Sequence, residues 1–209
     1  MNFIKLFTVL AAMLTLSFMC VSCSKDDDDK LNNKQIEIKV FPNSQGRVSF
    51  YIEADKVNIN WGDGAIEELK LSTESQLEAD SRVSHTYSNQ NLQTIIISGE
   101  NITGLYIEED GRYTSGHFHE IRLGNCPQLV ELYCHNQKLT LLEINGTVNS
   151  LEEVYISDNS LDSNVLNNIF KALPKKNSGE KAEITIWYNP GASTSDKSIA
   201  ESKGWIVSE

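Results

Sequence analysis

From Asn101 onward, apolar residues recur at a spacing that few folds can use. Ile102, Leu105 and Ile107 stand at positions 1, 4 and 6 of a short unit, and so do Phe118, Ile121 and Leu123. The same spacing returns at Leu129, Leu132 and Cys134, at Leu139, Leu142 and Ile144, and at Leu151, Val154 and Ile156. The starts at 118, 129, 139 and 151 lie 11, 10 and 12 residues apart, so pairs of units repeat every 21 or 22 residues. One such unit is too small to bury its apolar side alone. Neighbours must stack, each supplying a short strand whose inward residues enter a shared core.

The last unit runs on to Asn159 and Leu161. An asparagine there is expected to bond backbone groups that the turn leaves open. With it the unit reads LxxLxLxxNxL and resembles a leucine-rich repeat. A stack of this kind needs covered ends. Residues 163–175 place Val165, Leu166, Ile169, Phe170 and Leu173 at helical spacing, with Asp162 or Ser163 as N-cap and Pro174 near the end. A strand over 184–187 and a closing segment through Trp205 and Val207 follow. This tail is similar to the C-terminal cap of Bacteroidetes-type leucine-rich-repeat surface lipoproteins, which implies a short solenoid over residues 101–209.

Residues 35–100 carry a different signal, short alternating strands. Ile36, Ile38 and Val40 alternate with polar residues, as do Val48, Phe50 and Ile52. Val57 to Trp61 leads into the turn Gly62-Asp63-Gly64, and Thr94 to Ser98 is a β-branched run. Trp61-Gly62-Asp63-Gly64 followed by Ser84-His85-Thr86-Tyr87 resembles the PKD-type immunoglobulin-like domain. That resemblance implies a β-sandwich acting as a spacer or adhesion module, with His85-Thr86-Tyr87 opening a late strand. The expected architecture is mainly β: a PKD-like sandwich, then a leucine-rich-repeat solenoid with a C-terminal helix and strand cap.

The N-terminus reads as an export signal. Lys5 precedes an apolar stretch from Leu6 to Val21, shorter than the roughly 20 apolar residues of a membrane span. Cys20-Val21-Ser22-Cys23 resembles a bacterial lipobox, which implies removal of residues 1–22 and lipidation of Cys23; an ordinary signal peptide cut nearby is the alternative. The acidic run Asp26 to Asp29 cannot bury itself, so residues 23–34 read as a solvated tether. It is similar to the acidic export signal of Bacteroidetes lipoproteins, which implies a lipid anchor in the outer membrane and display at the cell surface.

Eighteen basic and 29 acidic residues give a net charge of −11, which disfavours nucleic acid as a partner. Apart from the Cys20-Val21-Ser22-Cys23 of the export signal, the sequence holds no GxSxG, HExxH, CxxC or phosphate-cradling glycine loop, so no enzymatic activity and no cofactor are expected. His117 and His119 stand two apart but lack the further ligands a metal needs. Cys126 and Cys134 fall at apolar repeat positions and read as buried thiols, a single disulfide being the other option. Binding is the remaining role. If every unit adds one rung to a single sheet, the residue between each inward pair faces one open, concave side: Tyr106, Arg122, Tyr133, Glu143, Tyr155 and Thr185. Glu131 and Glu153 flank that column on one side, His135 and Trp187 on the other. Tyr133 and Tyr155, two rungs apart, would then stand roughly 10 Å from each other. Such a face suits a protein, peptide or glycan ligand, and hence adhesion or recognition. The alternative is a structural or accessory subunit of an envelope or glycan-capture complex.

Overall fold

The computed structural model describes residues 35–71, 82–107 and 116–209. The export segment, Cys23 and the acidic tether lie outside these residues. The described chain is mainly β and forms two mixed sheets.

Six strands precede residue 101: β1 (Gln35–Phe41), β2 (Arg47–Glu53), β3 (Lys56–Asn60), β4 (Ile66–Lys70), β5 (Arg82–Thr86) and β6 (Gln93–Glu100). Seven follow: β7 (Gly104–Tyr106), β8 (His117–Leu123), β9 (Glu131–Tyr133), β10 (Leu141–Ile144), β11 (Glu153–Tyr155), β12 (Glu183–Thr185) and β13 (Ile206–Ser208). Their order is β10-β8-β1-β6-β3-β4 in the six-stranded sheet and β13-β12-β11-β9-β7-β2-β5 in the other.

This order corrects two expectations. The apolar units do not add rungs to one sheet. They alternate: β7, β9, β11 and β12 run parallel in the seven-stranded sheet, while β8 and β10 run parallel in the six-stranded one. Each unit of 10–12 residues therefore crosses from one sheet to the other, and a full circuit takes two units. The chain also does not divide at residue 100 into two separately buried halves. Within one sheet β1 pairs with β6 on one side and β8 on the other; within the second, β2 pairs with β7. Ile38 and Phe50 belong to the same buried cluster as Leu132 and Val154. The physical reason is edge protection. An open strand edge left by the first segment is covered by the strands of the next, which removes unpaired backbone groups from water.

Within that frame, alternation sets the inward residues as the sequence predicts. Ile36, Ile38 and Val40, Val48 and Ile52, and Ile95 and Ile97 are all fully buried, and Phe50 nearly so. So are the central repeat residues Leu105, Ile121, Leu132 and Val154. Burying a Val, Leu or Ile side chain contributes about 1.5–3 kcal/mol, and these residues line the space between the sheets.

Asn159 is buried and acts as the turn expects. Its Oδ1 accepts from the backbone N–H of Gln137 (3.1 Å) and Leu139 (2.9 Å), and its Nδ2 donates to the carbonyls of Cys134 (2.6 Å) and Ile156 (3.0 Å). Asn189 repeats the device one circuit on, bonding Leu161 N–H, Ile156 O and Ile186 O. The helix α1 (Ser163–Ala172) follows, capped by Asp162, whose side chain accepts from Val165 N–H at 2.9 Å. Its buried Leu166, Ile169 and Phe170 turn inward, and α1 packs beside β10, where the six-stranded sheet ends. The short α2 (Ser198–Glu201) and Trp205 close the far end.

At the other end, Gly62-Asp63-Gly64 makes the expected turn, with both glycines at positive φ. A Cβ on Gly62 would meet the Thr94 carbonyl oxygen at 2.3 Å, so the close approach of two segments requires glycine. Tyr87 donates to Trp61 O at 2.8 Å, and His85 lies over Trp61 with ring centroids 4.9 Å apart. His85-Thr86-Tyr87 closes β5 instead of opening a strand, because β2 offers its pairing partners from Arg47 to Tyr51.

Candidate functional site

The alternation between sheets splits the predicted binding column. Tyr106, Tyr133, Tyr155 and Thr185 stay together in the seven-stranded sheet, whereas Arg122 and Glu143 lie in the six-stranded sheet. The single concave column of six is therefore two rows on two sheets, and each has its own chemistry.

On the six-stranded sheet, Arg122 is enclosed by carboxylates. Its Nη1 lies 2.9 Å from Glu37 and 2.8 Å from Glu120, and its Nε lies 2.8 Å from Glu143. Lys39 adds a second cation to Glu120 at 2.9 Å. Burial pushes the Glu120 carboxyl up, but the hydrogen bonds from Lys39 and Arg122 outweigh it and hold the group below its usual value. Two of the three guanidinium nitrogens of Arg122, Nε and Nη1, are spent on carboxylates of the protein itself. The row is an ionic network in which Lys39 and Arg122 are each paired with carboxylates of the same sheet.

The seven-stranded sheet carries a continuous row. Register aligns Arg82, Tyr51, Tyr106, Tyr133, Tyr155, Thr185 and Ser208 across the whole sheet. Tyr133 and Tyr155 stand on adjacent strands, not two rungs apart, and their rings stack with centroids 4.5 Å apart and planes 15° from parallel. Tyr106 and Tyr133 are 5.2 Å apart at 32°. The expected 10 Å gap closes because the intervening unit, β10, belongs to the opposite sheet.

Two residues earlier on each parallel strand, and two later on the antiparallel β2, a second row aligns Glu53, Gly104, Glu131, Glu153 and Glu183. The tyrosine hydroxyls lean onto it. Tyr106 donates to Glu131 at 2.7 Å, Tyr133 donates to Glu153, and Ser208 donates to Glu183 at 2.8 Å. Gly104 makes room, since a Cβ there would stand 2.5 Å from the Tyr106 ring. Burial first, and then the adjoining carboxylates, hold the Tyr106 and Tyr133 phenols above their usual value. No basic side chain forms an ion pair with Glu53, Glu131, Glu153 or Glu183 among the described residues.

His135 and Trp187 sit in the turns after β9 and β12. Trp187 is 45% exposed, and among the described residues its ring touches no other ring. Beside it Tyr188 is 79% exposed and held at φ 56°, a left-handed conformation that the equivalent turns give to Asn136 and Asp158. A tyrosine there gains nothing from burial and bears a backbone cost that asparagine or aspartate bears more easily. Sequence reasoning did not select Tyr51, Arg82, Glu53 or Tyr188. Tyr51 shows its outward direction by alternating with Phe50 and Ile52, but its pairing with Tyr106 emerges only from the fold.

Elsewhere the chemistry is quiet. Cys126 and Cys134 are buried free thiols; burial pushes Cys126 up to about 11 and Cys134 higher still, so neither is a thiolate at neutral pH. A cleft of about 320 Å³ opens between residues 99–102 and 125–128, with Cys126 at its wall. Asp63 and His85 pair at 2.7 Å, and that hydrogen bond holds the Asp63 carboxyl below its usual value. Among the described residues, no group of three or more His, Cys, Asp or Glu is placed to hold a metal ion, and no helix is long and apolar enough to cross a membrane. Comparison with protein-family models, curated proteins and solved structures gives no match.

Proposed function

We propose that this chain is a surface-tethered lipoprotein, acylated at Cys23, that recognises or adheres to an extracellular ligand through the outer face of its seven-stranded sheet. In this reading it is a leucine-rich-repeat protein with an N-terminal PKD-like portion. The 21- and 22-residue circuits and the turn asparagines Asn159 and Asn189 support the first part. The Gly62-Asp63-Gly64 turn, tied to β5 through Asp63 and His85, supports the second. The observation that carries the recognition role is the tyrosine row itself. It presents Tyr133 and Tyr155, half-buried and fixed by one another and by a carboxylate, beside the buried Tyr106. Rigid aromatic residues lose little conformational freedom on binding, which is why recognition surfaces favour them.

Two measurements test the proposal. Protease added to intact cells should shave the wild-type protein from the surface, while Cys23→Ala is released or retained inside. Protection of the wild type until the outer membrane is broken would overturn surface display. Separately, Tyr133→Ala with Tyr155→Ala should abolish retention on an extracellular ligand while circular dichroism still reports a folded sheet. Unchanged retention by the folded double variant would remove the tyrosine row from the site.

A further inference from the structure

Tyr133, at the centre of the row, is not a sugar platform. Carbohydrate rings pack on open aromatic faces, and here Tyr133 faces Tyr155 at 4.5 Å and Tyr106 at 5.2 Å, so those faces are already covered. The hydroxyls of Tyr106 and Tyr133 are also committed, each to a glutamate on the next strand. What Tyr106 and Tyr133 leave open to a ligand is the acidic rim beside them.

That rim is built at a cost to folding. Equivalent residues on adjacent strands stand about 4.8 Å apart, and like charges facing each other there destabilise a sheet. The six-stranded sheet of the same protein solves this problem: Glu37, Glu120 and Glu143 all share Arg122. The seven-stranded sheet keeps Glu131, Glu153 and Glu183 in register with hydroxyl donors and, among the described residues, no paired cation. Only one oxygen of each carboxylate accepts a hydroxyl, so the other remains to receive a donor from outside. Trp187, in the turn that follows the strand carrying Glu183, adds an exposed ring with no ring contact among the described residues, the kind of face on which a guanidinium rests.

We propose that the outer face of the seven-stranded sheet docks an extended, arginine- or lysine-rich peptide segment of a partner protein, laid across the strands along the Glu131–Glu153–Glu183 row. The proposal rests on the recognition reading above and names the chemistry of its ligand. The dimensions agree. Alternate side chains of an extended peptide recur about every 6.6–6.8 Å, so two cations on one side of the peptide fall within the roughly 10 Å that the three carboxylates span. Arginine fits best, because its planar fork takes a carboxylate through two bonds.

The test uses a fluorescein-labelled peptide of alternating arginine and serine, read by fluorescence anisotropy against the folded protein. Saturable binding at low salt is expected, weakening steeply as salt is raised. Glu131→Gln/Glu153→Gln/Glu183→Gln should weaken it at least about tenfold. Glu67→Gln/Glu100→Gln/Glu201→Gln, which removes the same charge from exposed residues off the row, should leave it within about twofold. Equal loss in both triple variants would show general attraction to an acidic protein and overturn the proposal, as would no binding by the wild type. Retention on a glycan array that depends on Tyr133 and Tyr155, without peptide binding, would keep the recognition reading and overturn this one.

Discussion

On the six-stranded sheet, Arg122 sits among Glu37, Glu120 and Glu143; on the seven-stranded sheet, Glu131, Glu153 and Glu183 meet hydroxyl groups in place of cations. Both sheets draw their inward residues from the same repeat positions, and both bury them, Ile144 on the edge strand β10 only partly. Their outward rows part company because one arginine stands where the other sheet has tyrosine. The lesson concerns what each face is for. A network that neutralises itself contributes to stability and has little to give a partner. A row that stays charged contributes less to stability and remains able to bind.

The comparison fails if the faces respond alike to perturbation. Arg122→Ala should cost the most, about 2–3 kcal/mol in chemical denaturation, because it strands three carboxylates around a half-buried gap. A loss below about 0.5 kcal/mol would mean that the network is ordinary surface charge. Tyr133→Ala should cost about 1–2 kcal/mol, since it removes two ring contacts and one hydrogen bond; Tyr133→Phe should recover most of that.

Alkaline pH separates the faces next. Tyr106 and Tyr133 have folded-state values above the ordinary 10.0, so their contribution is fully present below about pH 10 and is lost as pH rises beyond it. Ultraviolet titration should show at least two phenols that ionise only together with unfolding. Smallest of all, Glu153→Gln should leave stability unchanged or raise it by about 0.2–0.5 kcal/mol, because it relieves like-charge repulsion within the row. A clear loss on that substitution would place Glu153 among structural residues.

Much of this arrangement is legible in the chain before it folds. Alternation and repeat spacing mark the buried Ile38, Phe50, Leu132 and Val154, and Asp162 announces α1 through its cap. Asn159 declares its turn, since a buried amide must spend its donors and acceptors on neighbouring backbone. What the pattern does not encode is the sheet to which each unit goes. A spacing of 10–12 residues fits a strand on every rung of one sheet or on alternate rungs of two, and both bury the same side chains. The tyrosines therefore share one row of one sheet, but with other neighbours than the repeat spacing predicts for them, and Tyr106 among them is buried. β4 is silent for another reason: its side chains are mostly exposed, and pairing with β3, not apolar alternation, makes it a strand.

The interleaving of the strands also sets an order in time. A ribosome releases the chain from its N-terminus, so β1 emerges early with Ile38 ready to be buried, yet one of its two flanks waits for Ile121 on β8. β2 likewise waits for β7, and β7 in turn for β9. Pairings between distant parts of a chain form slowly, because loop closure must come before the contacts that reward it. The sheets can therefore close only late in synthesis, and a nascent chain of this design stays open, threadable and exposed to chaperones until nearly its last strands have been made.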